Sequence, residues 1–276
     1  MITHMNNNNT PLPEYENRDI VRSVIKAFKI LESFHGLYKE ATISELASET
    51  GLGRAVVYRM VLTLEQIGYL ERCREGKSFR LSFKCFDLGM NYLSGHDVRS
   101  LTSPKLHDFV PLYADASSLA ILDGSDVVYI DRYEEGLDRS GLVRRIGSRI
   151  PVYGAAVGFA LVAFLPREQQ IEILGSKPRE KLSERTVIDL DELLDILAET
   201  HERGYAASDQ LNAYGLRTLA APILDHNDKA VAAISITVRA ERIDMEAFQA
   251  LSLKRLLQVA SELSNALKAL AMTQSS

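Results

Sequence analysis

Between residues 42 and 66 a handful of residues leave little freedom in the local fold. Thr42 and Glu45 make a Thr-x-x-Glu capping box, in which a hydroxyl and a carboxylate satisfy the opening backbone donors of a helix. That helix should end at Gly51, and another should run from about Arg54 to Gln66. Ala47, Gly51 and Val57 stand four and six residues apart. A helix-turn-helix needs those three things in that order: a small residue at the interhelical contact, a glycine able to turn left-handed, and a β-branched core residue.

The flanking segments fit the same unit. Residues 20 to 35 place Val24, Ala27, Phe28, Ile30, Leu31 and Phe34 at helical spacing, and His35-Gly36 breaks them. After Gln66, Gly68 to Arg72 and Ser78 to Leu81 read as two short strands around the turn Arg74-Glu75-Gly76-Lys77. Three helices and a hairpin, or wing, result.

At about 100° per residue, Val57, Met60, Val61 and Leu64 share the buried face of the third helix. Ala55, Tyr58, Arg59 and Leu62 then look outward. Such a helix suits a DNA major groove, with Arg59 bidentate to guanine, Tyr58 on a base or phosphate and Ala55 against a thymine methyl. Arg54 is placed for phosphate. Arg72, Arg74, Lys77 and Arg80 suit backbone contact, with Arg74 or Lys77 at the wing tip a minor-groove candidate. The competing explanation, a charged but idle surface, is weakened by the hairpin's position directly after the outward-facing helix.

Charge supports the reading locally. Residues 17 to 95 hold twelve Lys/Arg against nine Asp/Glu, a basic module on a chain whose net charge is -5. At 276 residues, 46% hydrophobic, the chain is long enough for about two domains, each with a core. The asparagine-rich residues 1 to 16 read as a disordered leader. Cys73 and Cys85 alone make neither a disulfide framework nor a four-ligand zinc site, and a reduced, cytoplasmic setting is expected. No apolar run approaches the ~18 residues of a membrane span, so no membrane partner is expected.

Beyond the hairpin, residues 82 to 95 and Val98 to about Tyr113 are read as helices, with 83–100 as the linker helix. Ser117 to Leu122 and Val127 to Arg132 flank the turn Asp123-Gly124-Ser125-Asp126, a β-hairpin. A strand is expected near Gly141 to Arg145, then an apolar helix over Ala155 to Leu165. Helices at Arg167–Leu174 and Asp189–Arg203 precede strands at 205–209, 216–224 and 230–238, and a long amphipathic helix covers Met245 to Ala271. Strand pairs mixed with helices, without regular βαβ alternation, predict an α+β domain on an antiparallel sheet over 101–276, after a DNA-binding domain at 17–82.

Catalytic signatures are absent from the sequence. Gly76-Lys77-Ser78 ends like a P-loop, but the earlier glycine it requires is Glu71. The six histidines show no paired metal spacing, and no serine sits in a Gly-x-Ser-x-Gly elbow. No enzyme, cofactor or metal is expected. The alternative is a small-molecule-binding or hydrolytic α+β protein whose helical module serves only for dimerisation.

The chain resembles the IclR family of bacterial transcription regulators over about residues 20 to 270. Matching stretches are Ser23-Val24-x-x-Ala27 with Ile30-Leu31, Thr42 to Ala47, Leu62 with Gly68-Tyr69-Leu70, Val127 to Arg132, Gly147 to Pro151, Ala156-Val157-Gly158, Glu202 to Ala206 and Gly215 to Pro222. The resemblance implies a winged helix-turn-helix domain, a linker helix and a GAF-like effector domain, assembled as homodimers or homotetramers on palindromic operators. Its flavour resembles the branch controlling aromatic-acid catabolism, such as protocatechuate or 4-hydroxybenzoate pathways. The family often has Ser/Thr hydroxyls at the start of the recognition helix, where this chain has Ala55 and Val56, so hydroxyl contacts to DNA do not carry over.

The resemblance also implies an effector site for a small organic carboxylate. The matching positions are the amides of Ala156 and Val157, then Asp209, Thr218, Ser235 and Thr237. Unpaired N–H groups at a helix start can hold an anion. Ser235 and Thr237 alternate along a strand, so their hydroxyls share a side. Asp209 repels an anion but accepts a hydrogen bond from a ligand hydroxyl, which suggests a hydroxylated acid. Arg149 is a second-rank candidate, to close the pocket or to bind an internal carboxylate.

Overall fold

The computed structural model describes residues 20–34, 40–74, 76–94, 97–137, 145–212 and 214–274. The expected leader, the His35-Gly36 break and, apart from Arg145, the strand near Gly141 lie outside them. Two compact units part between Gly95 and His96.

In the first unit, α1 (Arg22–Glu32), α2 (Ile43–Thr50) and α3 (Arg54–Gln66) precede a hairpin of β2 (Leu70–Arg72) and β3 (Ser78–Leu81), and α4 (Lys84–Ser94) follows. A two-residue strand not expected from the sequence, β1 (Ala41–Thr42), pairs with β3, giving the order β1-β3-β2. The capping box is formed: Glu45 N–H donates to Thr42 Oγ1 at 3.3 Å and Thr42 N–H to Glu45 Oε2 at 2.7 Å. Gly51 ends α2 at φ 67°, the left-handed conformation the turn demands. Ile30, Leu46, Val57, Val61, Leu64, Leu70 and Phe79 close one core, with Ala47 and Met60 packed at its edge.

The second unit is α+β. It begins with α5 (Asp97–His107) and the hairpin β4 (Ala116–Asp123) and β5 (Asp126–Glu134). A short strand β6 (Arg149–Pro151), a 3-10 turn (Val152–Gly154), and helices α6 (Ala156–Val162), α7 (Arg167–Gly175) and α8 (Leu190–Arg203) follow. Strands β7 (Ala206–Asp209), β8 (Leu216–Leu224) and β9 (Ala230–Arg239) lead to α9 (Met245–Gln274). The six strands form an antiparallel sheet of order β6-β5-β4-β9-β8-β7.

Two helices are shorter than their apolar patterns suggest. Pro111 and Pro166 disfavour helix at the residues before them, and α5 and α6 stop upstream of these points. The sheet is covered on both faces. Ala120, Val127, Tyr129, Ala220 and Ala233 pack on the α6 side with Val157, Phe159 and Leu161. On the other side Ser117 Oγ donates to Leu106 O of α5 at 2.6 Å, and Ser264 of α9 accepts from Leu224 N–H at 2.9 Å.

A β-bulge interrupts the β4–β5 ladder and changes its register between Leu119 and Ala120: Ala120 pairs with Tyr129, whereas Ser118 pairs with Arg132. The extra residue in β5 puts Arg132 on the same face as Tyr129.

Candidate nucleic-acid interface and ligand cavity

In the first unit, burial of Val57, Val61 and Leu64 turns the opposite face of α3 outward. Ala55, Tyr58 and Arg59 are exposed there, Tyr58 by 53%. Arg59 makes no ion pair with another described residue, and Arg54, also exposed, is steadied by a 2.8 Å hydrogen bond from Nη2 to Ser44 Oγ. The result is one convex helix face carrying a phenol, two guanidinium groups and a methyl. It has the residue types and the unobstructed access that major-groove reading requires.

The wing arginines divide into two kinds. Arg74 and Lys77 are exposed at the hairpin turn. Arg72 is committed within the fold: Nε and Nη2 bind Glu65 at 3.0 and 2.8 Å, and its guanidinium lies 4.5 Å from the Phe79 ring centroid. Arg80 is likewise paired with Glu71, at 2.6 Å. Arg72 was expected to contact the nucleic-acid backbone; the structure gives it the work of tying α3 to the wing.

In the second unit a small cavity, with about 20 Å³ of space open to water, lies on the α6 side of the sheet. Tyr129 and Arg132 of β5 line it, with Ala155 and Ala156 at the start of α6. Ser208, Leu216, Thr218 and Thr237 come from β7, β8 and β9, and Asn212 from the loop between β7 and β8. Thr218 and Thr237 are direct cross-strand partners whose hydroxyl oxygens are 3.0 Å apart. The loop is held down by Ser183, whose hydroxyl donates to Gln210 O and Leu211 O at 2.9 Å, and by Asn212 Nδ2, which donates to Gly154 O.

Of the residues expected at an effector site, the structure brings Ala156, Thr218 and Thr237 together at this cavity. Val157 is fully buried behind Ala156, and its side chain belongs to the core. Ala155 O accepts the first helical N–H groups, from Gly158 and Phe159, so the Ala156 and Val157 amides have no acceptor within the helix. Ser235 is on the cavity's side of β9 but deeper, 2% exposed and opposite Ser118.

Asp209 departs from the expectation. Its neighbour Ser208 pairs with Thr218 and lines the cavity, so alternation turns Asp209 to the other side, beside its cross-strand partner Arg217. There its carboxylate is held by Arg185 Nη1 at 2.7 Å and Arg217 Nε at 3.0 Å. Arg149 also lies away from the cavity lining, half exposed and ion-paired with Asp123 across the mouth of the β4–β5 hairpin. Of its two expected roles, the internal carboxylate is the one the structure contains.

Sequence reasoning missed Arg132. Its side chain is only 8% exposed; Nε and Nη2 hold Glu134 at 2.7 and 2.6 Å, and Nη1 donates to Ser118 Oγ at 2.8 Å. Strict alternation puts positions 129 and 132 on opposite faces, and only the bulge reverses that. No local signal announced the bulge.

Among the described residues no cluster of His, Cys, Asp and Glu could hold a metal, and no helix is long and apolar enough to cross a membrane.

The comparisons with known proteins agree with this two-part arrangement. The model for the IclR helix-turn-helix domain matches residues 23–73, and that for the bacterial transcriptional regulator IclR C-terminal region matches residues 90–265. The chain belongs to the IclR family of bacterial transcriptional regulators. It is similar to the HTH-type transcriptional regulator XynR of Escherichia coli strain K12, 29% identical over 82% of this chain and 89% of the relative. A Pca operon regulatory protein of Acinetobacter baylyi is 29% identical over 94% of each chain. Among solved structures, a transcriptional regulator from Rhodococcus sp. RHA1 superposes with a TM-score of 0.81 at 29% identity, covering 91% of this chain and all of the other. As an IclR-family member the chain is a DNA-binding transcription regulator and not an enzyme.

Proposed function

We propose that this IclR-family regulator controls a catabolic operon in response to a small organic carboxylate, aromatic or hydroxylated, bound in the cavity on the α6 face. Residues 17–82 read a palindromic DNA operator, 83–100 link, and 101–276 bind the effector. A regulator of this kind works at the chromosome, in the cytoplasm.

The observation that carries the DNA-reading half is the exposed face of α3, where Tyr58 and Arg59 stand opposite a fully formed core. The effector half is supported by the cavity, which gathers an arginine with several hydroxyl groups. Similarity to a Pca operon regulatory protein favours a catabolic operon. Assembly as a dimer, or as a dimer of dimers, is supported by the apolar stripe Val21, Val24, Ile25 and Phe28, all more than half exposed along one side of α1 and its lead-in. Such a stripe is too apolar to be left to water and suits a second copy of the same helix.

Effector control requires that ligand bind the DNA-competent and DNA-incompetent arrangements with different affinity. A mobility-shift titration of the full chain on its own upstream DNA, with and without candidate acids, tests the reading. A specific complex whose midpoint moves with one acid supports it; a complex that no acid moves, or none at moderate salt, refutes it.

A further inference from the structure

We propose that a groove at the outer edge of β8, sharing no residue with the cavity on the α6 face, is a binding site for a linear alkyl carboxylate of medium chain length.

The groove follows from where β7 begins. Pairing of β7 with β8 starts at Ala206, opposite Ala220, so β8 from Ala221 to Leu224 has no strand beside it on that edge. α9 walls the opening on one side and Phe164 and His201 on the other, leaving about 300 Å³ open to water, enough for a small organic molecule. A bare strand edge ordinarily invites another strand. This one is blunted: Pro222 has no N–H, and the Leu224 N–H is spent on Ser264 Oγ at 2.9 Å. Alternation turns the N–H groups of Ala221 and Ile223 toward β9. The floor therefore offers an incoming peptide no donor and suits a ligand that needs none from it.

Along α9 the groove is lined by Leu257, Ala260, Ser261, Asn265 and Lys268, one helix face about 16 Å long. Their polarity rises in that order, from alkyl through hydroxyl to amide and ammonium. β8 runs alongside in the same direction, since Leu224 meets Ser264, and Asp228, beyond the end of β8, meets Lys268 Nζ at 2.8 Å. Ala221 and Pro222 thus lie toward the apolar end with Leu257. The opposite wall is rigid: the Phe164 and His201 rings have centroids 4.7 Å apart, and His201 Nδ1 donates to Ala163 O at 3.1 Å.

The charged end has donors to spare. An ammonium carries three N–H groups, of which Asp228 takes one. Asp228 is 77% exposed, so the pair is weak, and a carboxylate can join or replace it. Asn265, one turn earlier, makes no hydrogen bond with another described residue and can donate beside Lys268. A carboxylate at Lys268 with its alkyl chain laid toward Leu257 meets like with like along the whole groove. A compact ring leaves part of the apolar length wet, and a polyol sets hydroxyls against Pro222 and Leu257 without partners.

The test is calorimetric titration of the full-length protein with butyrate, hexanoate, octanoate and octanol, each below its micelle or solubility limit. One octanoate should bind per chain, with affinity rising about 2-fold for each methylene added from butyrate upward, as for a chain buried on one side only. Octanol should bind more weakly than octanoate. Lys268→Gln should weaken octanoate by about 5- to 20-fold, the scale of a lost charge-assisted hydrogen bond, and leave octanol unchanged. Ser261→Phe, at an exposed position where the new ring fills the groove without entering the core, should abolish binding of both with the thermal melt unaltered. In methyl NMR, octanoate protons should show Overhauser contacts to the Leu224 and Leu257 methyl groups. No octanoate binding, or full octanoate affinity in Ser261→Phe, overturns the site. Equal affinity for octanol, or full octanoate affinity in Lys268→Gln, overturns the carboxylate end. Contacts to the Leu216 methyls of the α6-face cavity in place of those to Leu257 would put the ligand in that cavity and overturn the groove.

Discussion

Arg99 of α5 and Asp131 of β5 meet beneath the bulge that turns Arg132 into the cavity: Arg99 Nε is 3.7 Å from Asp131 Oδ2 and donates to Ile130 O at 3.2 Å. Asp131 is 7% exposed, and Oδ2 has no hydrogen-bond partner among the described residues, while Oδ1 accepts the Arg132 N–H at 2.9 Å. The buried carboxylate therefore depends on Arg99 for charge compensation. Removing one member of such a pair costs more than removing both. Arg99→Met should destabilise the second unit, and adding Asp131→Asn to it should cost less than Asp131→Asn alone. A double-mutant cycle by urea denaturation should give a coupling of about 1 kcal/mol or more. Additivity within error would show that α5 is not tied to the bulge through this pair.

The division among the basic residues of the DNA-reading unit has measurable consequences. Arg59→Ala should lower specific operator affinity by about 1–3 kcal/mol and relax the base preference at one position. Lys77→Ala should weaken binding to most sequences alike and reduce the salt slope by about 1. Arg72→Ala should act first on thermal stability, because Arg72 is spent on Glu65 and Phe79. Anisotropy titrations across salt concentrations, beside thermal melts of the same variants, separate the three behaviours.

The capping box of α2 makes a pH prediction. Backbone and side-chain hydrogen bonds from Thr42 hold Glu45 below its ordinary value of 4.5. A carboxyl with a depressed folded-state pKa stabilises the fold above its unfolded value and loses that contribution as pH falls through the lowered one. The start of α2 should therefore loosen in mild acid. Thr42→Ala should return Glu45 toward 4.5 and cost about 1 kcal/mol. NMR titration of the Glu45 side chain in both proteins checks the direction.

What was readable in the chain depended on whether the signal was local. Thr42, Glu45, Gly51 and Val57 act within a few residues of themselves, so capping, the left-handed turn and the buried face of α3 follow from spacing alone. The cavity is assembled from β5, α6, β7, β8 and β9, and its membership depends on register. The resemblance implies both Asp209 and Thr218, but in the sheet Ser208 is the partner of Thr218 and Asp209 is opposite Arg217. A one-residue shift transfers a side chain to the other face. Arg132 was hidden for the related reason that a bulge adds a residue to one strand and leaves no composition cue. The pairing of Arg72 with Glu65 is not visible in local spacing, because Glu65 is seven positions away on another element.

The floor of the cavity depends on how closely α6 approaches the turn before it, and Gly158 sets that distance. A Cβ built there would lie 2.1 Å from Val152 O and 2.7 Å from Val152 C. Both are backbone atoms, so no rotamer change relieves the overlap. Gly158→Ala gains about 1 kcal/mol of helix propensity, but it must push α6 off the 3-10 turn, an overpacking that typically costs about 1–3 kcal/mol. The displaced segment begins with Ala155 and Ala156, which line the cavity. Gly158→Ala should therefore lower the melting temperature of the second unit and weaken acid binding together, with the operator affinity of ligand-free protein nearly unchanged. Thermal melts, calorimetry and anisotropy on one preparation decide it, and a Gly158→Ala protein that melts at or above the wild-type temperature would mean that α6 does not need this contact.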